Sequence, residues 1–146
     1  MTKILLVEDE QLIKDMYQKV FKERGYEVET AEDGEEAVVK LMRPGAKYDL
    51  VLLDIMMPKL DGISVLKKIK DPGSAAKNIP VCLLTNLGMD TLIKEALNLG
   101  AEQFFVKANY LPGQIVDEVD AYFKRKAEAP AAAAPAPSIP TPPQTA

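Results

Sequence analysis

The chain has 146 residues, with 18 Lys and Arg against 22 Asp and Glu, no histidine and a single cysteine. This length suits one domain with a substantial core. The mildly acidic balance lacks the basic stripe of a duplex-binding module, Cys82 has no partner for an internal disulfide, and no apolar run approaches membrane-spanning length.

With no signal peptide ahead of the first apolar run, the expected setting is a soluble, cytoplasmic protein in a reducing compartment. The run Ile4–Val7 reads as a strand buried on both faces. Over Gln11–Arg24, Leu12, Ile13, Met16, Val20 and Phe21 recur at helical spacing, and Gly25 stops the helix. A short strand is expected over Glu27–Ala31. A helix then starts at Gly34 behind an Asp33 N-cap and ends at Pro44-Gly45. Leu50–Leu53, Val81–Leu84 and Gln103–Val106 complete five strands, with helices after the last three over Ile63–Ile69, Asp90–Leu99 and Pro112–Lys126. Asp71–Pro80, with two prolines and a glycine, reads as a loop. Five β-α units predict an α/β fold, a doubly wound parallel sheet with helices on both faces.

Composition changes after Lys126. Of residues 127–146, 14 are Ala or Pro and Ile139 is the only large aliphatic, too little apolar surface to offset the entropy of ordering. The expected division is therefore a folded domain over 1–126 and a disordered Ala/Pro-rich tail over 127–146, with a spacer as its simplest role.

Polar groups close the strand-like runs. Glu8-Asp9 follows the first, Asp54 the third, Thr85 the fourth and Lys107 the fifth. Ligands of open parallel sheets bind at the carboxyl ends of the strands. Three carboxylates, a hydroxyl and an ammonium gathered there suit a magnesium ion and a phosphoryl group. Each has a plainer reading alone: Glu8-Asp9 as a helix start, Thr85 as a helix cap, Lys107 as a surface lysine, Asp61-Gly62 as a turn and helix start, Cys82 as a small core residue.

As a set, Glu8-Asp9, Asp54, Pro58, Asp61-Gly62, Thr85 and Lys107 resemble the receiver domain of two-component response regulators, of the single-domain, chemotaxis-regulator-like kind. The resemblance covers residues 1 to about 126 and implies the flavodoxin-like receiver fold. It implies Mg2+ held by Glu8, Asp9, Asp54 and the backbone carbonyl near Met56, with Glu8 acting directly or through water. Asp54 is then the phosphoryl acceptor, Thr85 and Lys107 the catalytic and readout groups, and Phe104 the aromatic that turns inward as Thr85 moves. It also implies a histidine kinase or phosphotransfer partner as donor and an output protein on the fourth helix, fifth strand and fifth helix, with no direct contact to nucleic acid or membrane. The expected function is a stand-alone, phosphorylation-controlled switch that catalyses its own aspartyl phosphorylation and dephosphorylation. The alternatives are a phosphorylation-independent adaptor and the receiver fragment of a longer regulator. A flavin protein is disfavoured because Glu8-Asp9-Glu10 repels a phosphate, and an aspartate-nucleophile phosphatase because Met56 stands where its second acid is needed.

Two positions depart from the family pattern. Ala108 stands where proline in a cis linkage is usual, and a cis bond before a non-proline residue costs about 2.5–4 kcal/mol, so a trans bond and a rearranged loop through Asn109 and Tyr110 are expected. Asn86 replaces the usual small residue after Thr85, narrowing access to Asp54 or adding a donor. The apolar Met56 and Leu87 are expected to hinder an attacking water and lengthen the life of an aspartyl phosphate. Met56→Asn should then speed decay of the adduct measured by intact mass; equal or slower decay counts against the idea.

Overall fold

The computed structural model describes residues 2–55, 61–86 and 88–128. Strands and helices alternate as β1 (Lys3–Val7), α1 (Gln11–Glu23), β2 (Glu27–Ala31), α2 (Gly34–Met42), β3 (Leu50–Asp54), α3 (Gly62–Ile69), β4 (Val81–Thr85), α4 (Asp90–Asn98), β5 (Gln103–Val106) and α5 (Pro112–Glu128), with a 3-10 turn over Lys107–Asn109 before α5. All five strands pair in parallel in the order β2-β1-β3-β4-β5. The doubly wound sheet expected from the five β-α units is thus the fold observed. Among the described residues no helix is long and apolar enough to cross a membrane.

Continuous apolar strands follow from burial on both faces, because successive side chains point to opposite sides. Leu5, Val7, Val51, Leu53, Leu83 and Phe104 pack under α2, α3 and α4. Ile4, Leu6, Leu50, Leu52, Cys82 and Phe105 pack under α1 and α5. Burying such a side chain contributes roughly 1.5–3 kcal/mol, so the central strands anchor both layers. Cys82 is fully buried and its thiol is pushed up by desolvation, as fits a small core residue.

Two helix starts are set by side chains. Asp33 accepts from the Glu36 amide at 2.9 Å, and Asp61 accepts from the Ser64 amide at 2.8 Å, opening α2 and α3. Gly25, at φ 93°, takes the left-handed conformation that turns the chain from α1 toward β2. Arg24 and Tyr26 at this turn both bind Asp120, tying α1 to α5.

The inward line of α1 differs from the expected one. Lys14, Tyr17 and Phe21 are buried, whereas Leu12 is 84% and Met16 45% exposed. The apolar arc of the helix is wider than the strip it buries, and the long aliphatic stem of Lys14 occupies the interior while its ammonium meets Glu32 at 3.4 Å. Helix α5 runs two residues past its expected end, through Ala127 to Glu128, residue types with good helix propensity, and the rest of the expected tail lies outside the described residues.

Candidate functional site

Adjacent parallel strands β1 and β3 bring Glu8, Asp9 and Asp54 together at the carboxyl edge of the sheet. Asp54 is the last residue of β3 and is buried, held in register beside Leu84. Glu8 follows β1, where its amide donates to the Ala31 carbonyl at 3.1 Å. Its side chain is wholly buried and one carboxylate oxygen accepts from the Asp9 amide at 3.0 Å. Asp9 is exposed at the mouth. One oxygen from each of these three carboxylates lies within 4.8 Å of the others. The plainer reading of Glu8-Asp9 as the first turn of α1 does not hold, because that turn carries no acid and starts after Glu10.

Lys107 sets the electrostatics. Its ammonium donates to Glu8 at 2.7 Å and to Asp54 at 2.9 Å. Burial alone would lower the pKa of this lysine, but the bonds to the two carboxylates outweigh it and raise the pKa. Glu8 moves up as well, first through burial and then through its hydrogen bond with Asp54, with Lys107 opposing both. Tyr17, buried on α1, has its hydroxyl pushed up mainly by desolvation, with a smaller lowering by Lys107 and smaller raises by Glu8 and Asp54. That places Tyr17 within the field of the cluster, and the apolar spacing along α1 gave no sign of it.

Thr85 ends β4 and is buried, its hydroxyl donating to the Asn86 carbonyl at 3.2 Å. It does not cap α4, whose N-cap is Met89. Asn86 is exposed beside it. Phe104 lies buried among the side chains of the α2-α3-α4 layer. No cis peptide bond occurs among the described residues, so the Lys107–Ala108 bond is trans. The chain instead turns through Lys107–Asn109, the Tyr110 amide donates to the Lys107 carbonyl at 3.3 Å, and the Tyr110 ring packs edge-on to Phe105. Met56, Pro58 and Leu87, expected around the same edge, lie outside the described residues.

The donor set is chemically selective. Three carboxylates offer hard oxygen ligands, as Mg2+ prefers, and no imidazole or thiolate stands among them. An ammonium between two carboxylates also marks where the negative charge of a phosphoryl oxygen can be matched.

Comparison with known proteins agrees with this geometry. The profile of the response regulator receiver domain matches residues 4–120. The chain is 41% identical over 106 residues to the chemotaxis protein CheY of Treponema pallidum, covering 72% of each. It is 34% identical over 127 residues to the transcriptional regulatory protein ResD of Bacillus subtilis, covering 87% of this chain and 50% of that one. With a CpxR homolog of Haemophilus influenzae the identity is 37%, over 52% of the relative. The chain therefore spans about half the length of these two regulators. Among solved structures, a CheX–CheY–BeF3–Mg2+ complex from Borrelia burgdorferi matches with a TM-score of 0.73 and 34% identity, covering 84% of this chain and 89% of that one. A CheY-like receiver domain protein from Methanospirillum hungatei shares the fold, with a TM-score of 0.75 at 24% identity over 88% and 98% of the two chains. With its family profile spanning nearly all of the folded region, and five polar residues at the carboxyl ends of four strands, the chain belongs to the response regulator receiver domain family.

Proposed function

We propose that this chain is a phosphorylation switch in which Asp54 accepts a phosphoryl group. The observation that carries this reading is the cluster itself: Asp54 buried at a strand end, bound by Lys107, and sharing a cleft with Glu8 and Asp9. A carboxylate oxygen of Asp54 attacks the phosphorus in line, the bond to the donor breaks, and an acyl phosphate remains. The chain has no histidine, so a phosphohistidine donor belongs to a partner, a histidine kinase or phosphotransfer protein. Glu8, Asp9 and Asp54 would hold Mg2+, which when bound neutralises the charge gathered between the carboxylates and the incoming phosphoryl oxygens. Lys107 pairs with a phosphoryl oxygen, and the Thr85 hydroxyl turns from the Asn86 carbonyl to donate to another. Phe104 and the surface of α4, β5 and α5 carry the change to an output protein. In the Borrelia complex, CheY is named together with CheX, BeF3 and Mg2+, which supports expecting an ion and a protein partner for this chain.

A donor protein must reach Asp54 over the segments that flank the acidic cleft. Leu12 and Met16, both exposed, stand one turn apart on α1, which begins at Gln11, and Leu111, 69% exposed, follows the turn that holds Lys107. In the proposed reading these three exposed side chains give the donor an apolar footing.

Acetyl phosphate with magnesium should give wild type a single phosphoryl adduct by intact mass, and Asp54→Asn none. An adduct that persists in Asp54→Asn sinks the assignment. Magnesium should raise the melting temperature of wild type, by about 2.7 kcal/mol of stability at a hundred times its dissociation constant, and much less that of Asp9→Asn. Equal shifts would remove Asp9 from the ion site. Leu12→Glu with Met16→Glu should slow transfer from a phosphorylated donor protein about tenfold or more relative to labelling by acetyl phosphate; an unchanged ratio places the donor elsewhere.

A further inference from the structure

We propose that Gly62 is a positioning residue for Asp54, a role that rests on Asp54 being the phosphoryl acceptor. Gly62 is buried at the first position of α3 and donates its amide to the Ile55 carbonyl at 2.9 Å. This bond seats the start of α3 directly on the end of β3. A Cβ at this position would lie 2.6 Å from the Asp54 carbonyl oxygen and 2.7 Å from the Ile55 Cα. Both are backbone atoms and cannot swing aside as a long side chain does. The φ of Gly62 is not in the left-handed region, so close approach, and not backbone conformation, demands the glycine.

Helix propensity points the same way. Alanine is the better residue within a helix, and α3 is already capped by Asp61. Glycine at this first position therefore needs a reason beyond starting the helix. Nor can α3 retreat to make room, since Ile63, Val65, Leu66 and Ile69 are all buried in the layer above the sheet. Strand β3 is fixed on both sides by β1 and β4. A methyl at residue 62 is accommodated by moving the Asp54–Ile55 step, whose side chain meets Lys107 at 2.9 Å. Displacements near 1 Å at a reacting group cost on the order of a hundredfold in rate.

The test is Gly62→Ala beside two controls, Gly113→Ala, where a Cβ meets nothing within 4 Å, and Ile69→Val, which loosens the far end of α3. At a temperature where circular dichroism shows each variant folded, Gly62→Ala should label with acetyl phosphate about tenfold or more slowly at saturation. Its half-saturating concentration should change little, and both controls should label at the wild-type rate. In the metal-free protein, the largest amide resonance shifts should fall at residues 54, 55 and 107. A wild-type labelling rate in folded Gly62→Ala overturns the proposal, as do resonance shifts confined to α3. Failure of Gly62→Ala to fold even with trimethylamine N-oxide also overturns it, since the glycine then serves folding alone. If wild type itself forms no adduct, the phosphorylation reading falls and this inference with it.

Discussion

Lys107 lies at the end of an edge strand, yet it binds a carboxylate on β3 and another on β1. Strands are spaced about 4.8 Å apart, so this ammonium reaches past β4 to hold together groups contributed by strands two and three places away. Without it, two buried acids would face each other in a cleft with little water, a costly arrangement. The strand order is what makes the contact possible. Placing β3 beside β1 sets Asp54 next to Glu8, and ending the sheet with β4 and β5 leaves Lys107 free to lean inward from the edge.

The core and the site answer to opposite demands on the same strands. Within the sheet every side chain from Ile4 to Val7, Leu50 to Leu53 and Val81 to Leu84 is apolar and buried, which gives both helical layers a firm base. Along these three central strands the polar groups of the site appear only at the carboxyl ends, so the middle of the sheet stays dry while its edge carries charge. Glu8 is the extreme case. It is as buried as the core, with its carboxylate engaged by Lys107 and the Asp9 amide, so its desolvation is offset in part, and burial still raises its pKa.

Much of this was legible in the sequence because the signals were one-dimensional. A continuous apolar run bounded by a polar residue announces both a buried strand and the polar group at its end, and the places of Glu8, Asp54, Thr85 and Lys107 could be read in that way. The inward face of α1 could not. Leu12 and Met16 satisfy helical periodicity as well as Phe21 does, and only the placement of α1 against the sheet and α5 decides that Lys14 and Tyr17 turn in. Gly62 was legible as a helix start but not as a close approach, because the atoms that crowd it belong to a strand and only the folded chain brings them near. The end of α5 lies beyond the expected Lys126 for a simpler reason: the prolines and alanines that follow dominate the composition, although Ala127 and Glu128 are themselves good helix residues.

The resting contacts also redistribute the energetics of a switch. A hydrogen bond to a charged group contributes about 1.5–3 kcal/mol, and moving an equilibrium from 1:99 to 99:1 takes roughly 5.5 kcal/mol. Counting Thr85 and Lys107 as two new bonds to a phosphoryl group nearly reaches that figure. Lys107, however, already binds Glu8 and Asp54, so under the proposed function it exchanges one anionic partner for another and its net gain is smaller than a new bond. Thr85 starts from a single longer bond to the Asn86 carbonyl at 3.2 Å, and its exchange for a charged acceptor is the larger gain. Phe104 is already buried in this structure, and without a hydroxyl it needs no polar partner there. Under the proposed function, the bias that separates the two states then falls mainly on Thr85 and the strand end that carries it.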